Sequence, residues 1–203
     1  LIYLDHRGCG RSTGEKETWH LDQWADDIAI FCSTLSIQSP VVFGQSFGGM
    51  VAMHYAVRHP GGISKLILSS TAAQFRLDET MKMMRKLGGP RAADVACEFF
   101  SNPSKAAYET YGQVCLPLYS NPNVPAAGAF RDRAIERPEV AFHFFSDEMA
   151  QMDMRAEIAN ITCPTLVIGG AIDPVTPPIC SKAIADAIGD NARLRMFEGC
   201  GHG

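Results

Sequence analysis

The feature that most constrains this chain is a serine flanked by glycines, placed between an apolar run and a helical pattern. Residues 41–43 have the composition of a buried strand, and residues 50–58 have helical spacing. The motif Gly44-x-Ser46-x-Gly48 joins the two. A serine at such a tight strand-to-helix turn projects its hydroxyl from the end of a sheet, and large flanking side chains would clash there. The pattern predicts Ser46 as a nucleophile; the alternative is a chance match in a loop.

The helix that would follow Ser46 has a second consequence for the chemistry. A helix N-terminus carries N–H groups without intrahelical partners and a partial positive charge. The N–H of Phe47 follows the serine directly, so we expect it to stabilise a developing oxyanion.

Strand and helix patterns alternate on both sides of this motif. Predicted strands are residues 1–4, 41–43, 66–68, 164–169 and 194–197, and predicted helices of the core are residues 21–35, 50–58 and 178–188. This order predicts an α/β fold, with a mostly parallel sheet and helices on both faces.

The middle of the chain has a different character. Strand patterns are missing between residues 72 and 160, and short helical patterns occur at residues 81–87 and 92–100. We therefore expect a helical cap inserted at 72–160, between core segments 1–71 and 161–203.

Asp173 is the predicted acid of the site. A serine needs a base that a third group orients, and in this kind of fold the acid and then the base follow the serine along the chain. Asp173 comes just after the predicted strand 164–169, whereas Asp5 precedes the serine and Asp153 precedes its strand. The alternative role for Asp173 is turn formation, because proline follows it.

His202 is the predicted base, since it alone of six histidines follows Asp173. It comes after the last predicted strand among small residues, which leaves room for an imidazole near a substrate. The others are His6 beside a predicted strand end, His54 and His59 in or after the nucleophile helix, and His20 and His143 on the surface or in the cap.

Composition limits the classes of ligand and partner that this chain is expected to bind. A net charge of −4 in 203 residues argues against a nucleic-acid binder, and no apolar run is long enough to span a membrane. Seven cysteines without a C-x-x-C pair indicate reduced thiols in a cytoplasmic protein. No metal is indicated, because no cluster of Cys and His has zinc-finger spacing, and no dinucleotide cofactor is indicated, because the glycines at 8, 10 and 14 lack the required spacing. The oligomeric state is not indicated.

Both ends of the chain look truncated. Leu1 opens the sequence inside an apolar run, and Gly203 is only one residue past His202. We expect further residues on both sides, and the sequence leaves a signal peptide open.

Several motifs together resemble the proline iminopeptidase branch of the α/β-hydrolases. They are DHRGCGRS at 5–12, GQSFGG at 44–49, CPTLVI at 163–168, DPVTP at 173–177 and GCGH at 199–202. The resemblance implies an α/β-hydrolase fold and a serine hydrolase. It also implies that a second oxyanion donor lies on a loop preceding residue 1.

The resemblance further implies a carboxylate in the cap that holds the free amine of the substrate. Glu148 is similar to such an acid, and the alternative is a solvated helix carboxylate. We expect acyl-enzyme chemistry on a small amide or peptide, releasing an N-terminal residue such as proline. Two alternatives stay open: a carboxylesterase or carbon–carbon bond hydrolase of small apolar substrates, and a ligand-binding receptor with little turnover.

Overall fold

The computed structural model describes residues 1–121 and 134–202. Its sheet has four parallel strands in sequence order. They are β1 (Val41–Gln45), β2 (Lys65–Ser69), β3 (Thr165–Gly170) and β4 (Ala192–Phe197). In the register, Gly44 lies opposite Leu68, and Leu68 lies opposite Val167. Because all neighbours are parallel, the carboxyl ends of the four strands meet at one edge.

Helices flank the sheet and fill the long connection between β2 and β3. They are α1 (Leu21–Thr34), α2 (Phe47–Arg58), α3 (Leu77–Ser101), α4 (Lys105–Val114), α5 (Pro138–Ser146), α6 (Glu148–Gln151) and α7 (Pro178–Ile188). Short 3-10 turns occur at Lys16–Thr18, Leu116–Tyr119, Ile158–Asn160 and Gly189–Asn191. No helix within the described ranges is both long and apolar enough to cross a bilayer.

The core lies where α2 and α7 pack against the strands. Three strand residues are fully buried, Leu66 and Leu68 of β2 and Val167 of β3. Val51 of α2 and Ile184 of α7 are fully buried as well. Burying one such side chain stabilises the fold by about 1.5–3 kcal/mol, so this layer fixes the positions of the strand ends.

The predicted α/β fold class is confirmed, because a parallel sheet is flanked by helices and a long helical connection joins β2 to β3. The strand predicted at residues 1–4 is wrong: these residues have no regular structure, and Leu1 and Tyr3 are exposed. A strand needs a hydrogen-bonding neighbour, and β1 pairs with β2 alone in the described part of the sheet. An apolar run indicates burial but not the presence of a neighbour.

The segment predicted as a cap contains α3 to α6. Helix α3 is broken at Gly89, which has a φ of 76° and precedes Pro90, and this break separates the two helical patterns in the sequence. Gln74 and Asp153 form an isolated antiparallel bridge where the helical segment leaves and rejoins the core. The boundaries at 72 and 160 remain a prediction, and residues 122–133 and 203 of the predicted segments lie outside the described residues.

Candidate active site

Ser46 occupies a strained turn between β1 and α2. Its φ of 51° and ψ of −121° are unusual for a residue with a side chain and cost about 1–3 kcal/mol. Hydrogen bonds hold this conformation: the Ser46 N–H donates to Ser69 O at 2.9 Å, and Thr71 Oγ1 donates to Ser46 O at 2.6 Å. The N–H of Gly49 donates to the same oxygen at 2.9 Å. The neighbouring strand therefore fixes the direction of the Ser46 side chain.

Two glycines make this turn possible. A Cβ on Gly44 would overlap the carbonyl oxygen of Gly48, and a Cβ on Gly49 would lie 2.6 Å from the Thr71 side chain. At Gly48 the nearest atom is His6 Nε2 at 3.8 Å, which is an ordinary contact. The steric requirement predicted for the flanks of the serine thus applies at Gly44 and Gly49, and not at Gly48.

The structure brings Ser46, His202 and Asp173 into one hydrogen-bonded chain. Ser46 Oγ lies 2.9 Å from His202 Nε2. On the other side of the ring, His202 Nδ1 lies 2.9 Å from Asp173 Oδ2 and 3.0 Å from Oδ1. The His202 side chain is 7% exposed and the Asp173 side chain 0%, so water does not compete for these bonds. The three residues follow β1, β4 and β3, whose carboxyl ends share one edge.

The Asp173 carboxylate is fully supplied with donors. The N–H groups of Val175 and Thr176 donate to Oδ1 at 2.8 and 2.9 Å, and Thr176 Oγ1 donates to Oδ2 at 2.9 Å. An ionised carboxylate is stable in a buried site only with such partners. Asp173 thus both forms a turn and contacts the imidazole of His202. Sequence reasoning missed Thr176, although an aspartate with a threonine three residues later is typical of such side-chain turns.

The loops that carry the acid and the base are joined through their backbones. The Ala171 N–H donates to Phe197 O, and the Ile172 N–H donates to Cys200 O, both at 3.0 Å. A Cβ on Gly170 would overlap the carbonyl oxygen of Gly201, so the two loops approach as closely as backbones allow. This contact fixes the separation of Asp173 from His202.

Phe47 follows Ser46 directly and brings a backbone N–H and an aromatic ring next to it. It is the first residue of α2, so its N–H has no acceptor within the helix. Its ring packs edge-on against Trp24 at 4.8 Å, Phe144 at 5.1 Å and His6 at 5.6 Å, measured between ring centroids. Burial lowers the pKa of His6, against the opposing charges of Asp27 and Asp5. The Phe47 ring therefore lies in a largely aromatic environment.

Glu148 lies apart from this hydrogen-bonded chain. Its Oε2 accepts a hydrogen bond of 2.9 Å from the N–H of Leu21, at the start of α1. Burial raises the pKa of Glu148, while the Leu21 N–H opposes that shift. Glu148 lines a cavity of about 460 Å³ together with Asp22 and His54, and the residues of the Ser46 group do not line it. Its contact with a substrate amine stays a prediction.

The other two acids that the sequence offered have different partners. Asp5 Oδ2 accepts from the Arg11 N–H at 3.1 Å, and Asp153 pairs with Arg155. Within residues 1–121 and 134–202, no group of three or more His, Cys, Asp and Glu side chains is arranged to hold a metal ion.

A parallel sheet whose carboxyl edge carries a serine turn, an acid loop and a histidine loop defines the α/β-hydrolase class. The α/β-hydrolase fold family matches residues 1–203, and the chain belongs to this family. It is a hydrolase by family, and the particular activity is a separate question.

Known proteins agree with this class. The chain is 27% identical over 219 residues to the AB hydrolase superfamily protein YisY of Bacillus subtilis, covering 100% of this chain and 74% of that protein. It is 26% identical over 224 residues to a proline iminopeptidase of Lactobacillus helveticus, covering 100% of this chain and 73% of that protein. An α/β fold family hydrolase of Bacillus anthracis superposes with a TM-score of 0.76 at 20% identity, over 97% of this chain and 73% of that one.

Proposed function

We propose that this protein is a serine hydrolase that works through an acyl-enzyme, with Ser46 as nucleophile, His202 as base and Asp173 as the acid that orients it. The observation that carries this proposal is the chain of hydrogen bonds of 2.9 Å on either side of the imidazole. A serine hydroxyl is a weak nucleophile until such a base removes its proton.

In the first half-reaction, His202 Nε2 takes the proton of Ser46 Oγ as that oxygen attacks the substrate carbonyl. The negative charge moves to the carbonyl oxygen, where the Phe47 N–H donates a hydrogen bond. One such donor is worth about 10²–10³ in kcat. The imidazolium then protonates the leaving group, the bond to it breaks, and the acyl group stays on Ser46.

In the second half-reaction, His202 removes a proton from water, which attacks the acyl carbon. The tetrahedral intermediate collapses, Ser46 Oγ recovers its proton, and a carboxylic acid leaves. Asp173 remains ionised throughout: it holds the Nδ1–H tautomer and stabilises the imidazolium. The donors of Val175 and Thr176 support this role because they hold the Asp173 carboxylate in place.

The substrate that we propose first is a small amide or peptide from which an N-terminal residue such as proline is released. The proline iminopeptidase relative supports this choice. A second candidate is an ester of a small apolar acid, because the Glu148 carboxylate is already engaged by the Leu21 N–H. An ester substrate needs no carboxylate to hold an amine.

Three substrates separate these candidates: a prolyl-anilide, its N-acetylated form and a short-chain aryl ester, each measured with the Ser46→Ala variant as control. Strong preference for the free-amine anilide, reduced by Glu148→Gln, supports the aminopeptidase. Turnover of the ester alone, or indifference to acetylation, favours the esterase. Absence of turnover for all three would contradict the hydrolase proposal and favour a binding protein.

A further inference from the structure

The loop that carries His202 is held by residues of the predicted cap, through contacts that the proposed mechanism does not use. The His202 N–H donates to Tyr119 O at 2.8 Å. Asn121 Nδ2 donates to Gly199 O, also at 2.8 Å. A Cβ on Gly201 would overlap the Tyr119 carbonyl oxygen, so the two segments are in direct backbone contact. The base loop therefore rests on the turn Leu116–Tyr119.

The ring of Tyr119 also contacts the imidazole itself. The two ring centroids are 5.1 Å apart with an interplanar angle of 76°, which is an edge contact. The nitrogens of His202 already face Ser46 and Asp173. Two hydrogen bonds at opposite ends of a ring leave its tilt about the axis between them free. An aromatic neighbour packed against the ring removes that freedom.

Tyr119 is itself anchored in the interior of the helical segment. Its hydroxyl lies 2.7 Å from the hydroxyl of Tyr111, a residue that is only 3% exposed. The Tyr111 ring packs at 4.5 Å from Phe99 and at 5.5 Å from Phe100 of α3. Burial raises the pKa of Tyr111 well above its ordinary value. The position of Tyr119 is thus tied to α3 and α4.

We propose that Tyr119 is a positioning residue for His202, which keeps the imidazole in its working orientation as long as the turn Leu116–Tyr119 lies on the core. The inference rests on the proposed function, because Tyr119 acts through the base. No bond to Tyr119 forms or breaks in the reaction. The Tyr119 side chain then links the placement of the helical segment to the competence of the base.

The test compares Tyr119→Leu with Tyr119→Phe, and uses Tyr108→Leu as the matched control. Tyr108 is a tyrosine of α4 whose ring, like that of Tyr111, packs on Phe99. Its hydroxyl donates to Glu136. With the aryl ester as substrate, Tyr119→Leu is expected to lower kcat about 10- to 100-fold while KM stays within about threefold. Tyr119→Phe keeps the ring, and Tyr108→Leu leaves His202 untouched, so both are expected within about threefold of the wild type.

A spectroscopic reading accompanies the kinetics. The low-field proton resonance between His202 Nδ1 and Asp173 should broaden or disappear in Tyr119→Leu and persist in Tyr108→Leu. Unchanged kcat and resonance in Tyr119→Leu would overturn the inference, as would equal losses in the two leucine variants.

Should Tyr119→Leu fail to fold, Tyr119→Met takes its place, since its longer side chain fills more of the space of the ring but is not aromatic. It is expected to lower kcat about tenfold, and an unchanged kcat would count against the inference. Ser46→Ala separates the two levels of the proposal. Full turnover in Ser46→Ala defeats the proposed function itself. Lost turnover there, with wild-type kcat in Tyr119→Leu, defeats only the role of Tyr119.

Discussion

Among the described residues, Asp–His pairs occur in two regions, at the carboxyl edge of the sheet and on the surface where α1 meets α2. At the sheet edge, Asp173 and His202 lie 2.9 Å apart with the acid fully buried. On the surface, Asp26 lies 2.7 Å from His59, and both side chains are 34% exposed. The distances are alike, so distance alone does not identify a catalytic pair.

The difference lies in what else each pair contacts. Arg58 also contacts the surface acid: its Nη2 lies 2.8 Å from Asp26 Oδ2, so the charge of Asp26 is already balanced. At the sheet edge, backbone and hydroxyl donors hold Asp173, and the far nitrogen of His202 faces Ser46. The imidazole of His202 is then the one partner of Asp173, among those described, that can become a cation. The following variants test that contrast in order of decreasing effect.

The largest contrast is expected from replacing each acid by its amide. Asp173→Asn should lower kcat about 10⁴-fold, because the amide favours the wrong tautomer of His202. Asp26→Asn should leave kcat within about twofold, since a surface substitution away from the site rarely matters more. Aryl ester turnover measures both variants. Equal activities would show that the burial of the acid does not distinguish the two pairs.

Thr176→Val tests whether satisfied donors set the buried pair apart. It removes the bond from Thr176 Oγ1 to Asp173 Oδ2 while it preserves shape. We expect the free energy of unfolding to fall by about 1–3 kcal/mol, because a buried carboxylate loses a partner. The control is Thr34→Val at the exposed C-terminal end of α1, where the Thr34 hydroxyl donates to Ile30 O. Urea unfolding curves give both values, and a cost for Thr34→Val as large as that for Thr176→Val would contradict the contrast.

Glu148 provides a third carboxylate, intermediate in burial. Glu148→Ala is expected to cost about 1 kcal/mol, because the Leu21 N–H at the start of α1 loses its acceptor. Glu148→Gln keeps an oxygen there and should stay within about 0.5 kcal/mol of the wild type. Thermal unfolding of the two variants measures this difference. Identical melting curves would remove the helix-capping role from Glu148.

The smallest effect is the pH dependence of the surface pair. Hydrogen bonds from Arg58 and then His59 lower the pKa of Asp26 from 3.8 to about 2. A carboxyl with a lowered folded-state pKa stabilises the fold above pH 4, and this stabilisation is lost as the pH falls toward 2. For a solvent-screened group it amounts to less than about 1 kcal/mol. The difference in unfolding free energy between wild type and Asp26→Asn should therefore shrink between pH 5 and pH 2, and a constant difference would contradict this origin.

The order of motifs along the chain predicts that Ser46, Asp173 and His202 lie together, because strand ends of a parallel sheet share one edge, and the structure places them in hydrogen-bond contact. The same reasoning gave the bounds of α7 and placed β1 to β4. The predicted start of the helix after Ser46, at residue 50, is three residues late, since α2 starts at Phe47. Two glycines mask the helical pattern there.

Residues that act through long-range contacts escaped the sequence. Thr71 supports Ser46 from the loop that follows β2, and the Tyr119 ring contacts the ring of His202, which lies far from it in the sequence. Periodicity describes which face of an element is apolar, but it does not report which distant segment covers it. For the same reason the apolar residues 1–4 predict a strand, although no strand of the described sheet pairs with them.

The central claim is that Ser46 is the nucleophile that His202 and Asp173 activate. The most direct measurement is labelling with a fluorophosphonate, followed by intact mass and peptide mapping of the adduct. We predict one adduct per chain, located on Ser46, absent in Ser46→Ala and strongly slowed in Asp173→Asn but not in Asp26→Asn. An adduct on another residue, or undiminished labelling of Ser46→Ala, would contradict the claim.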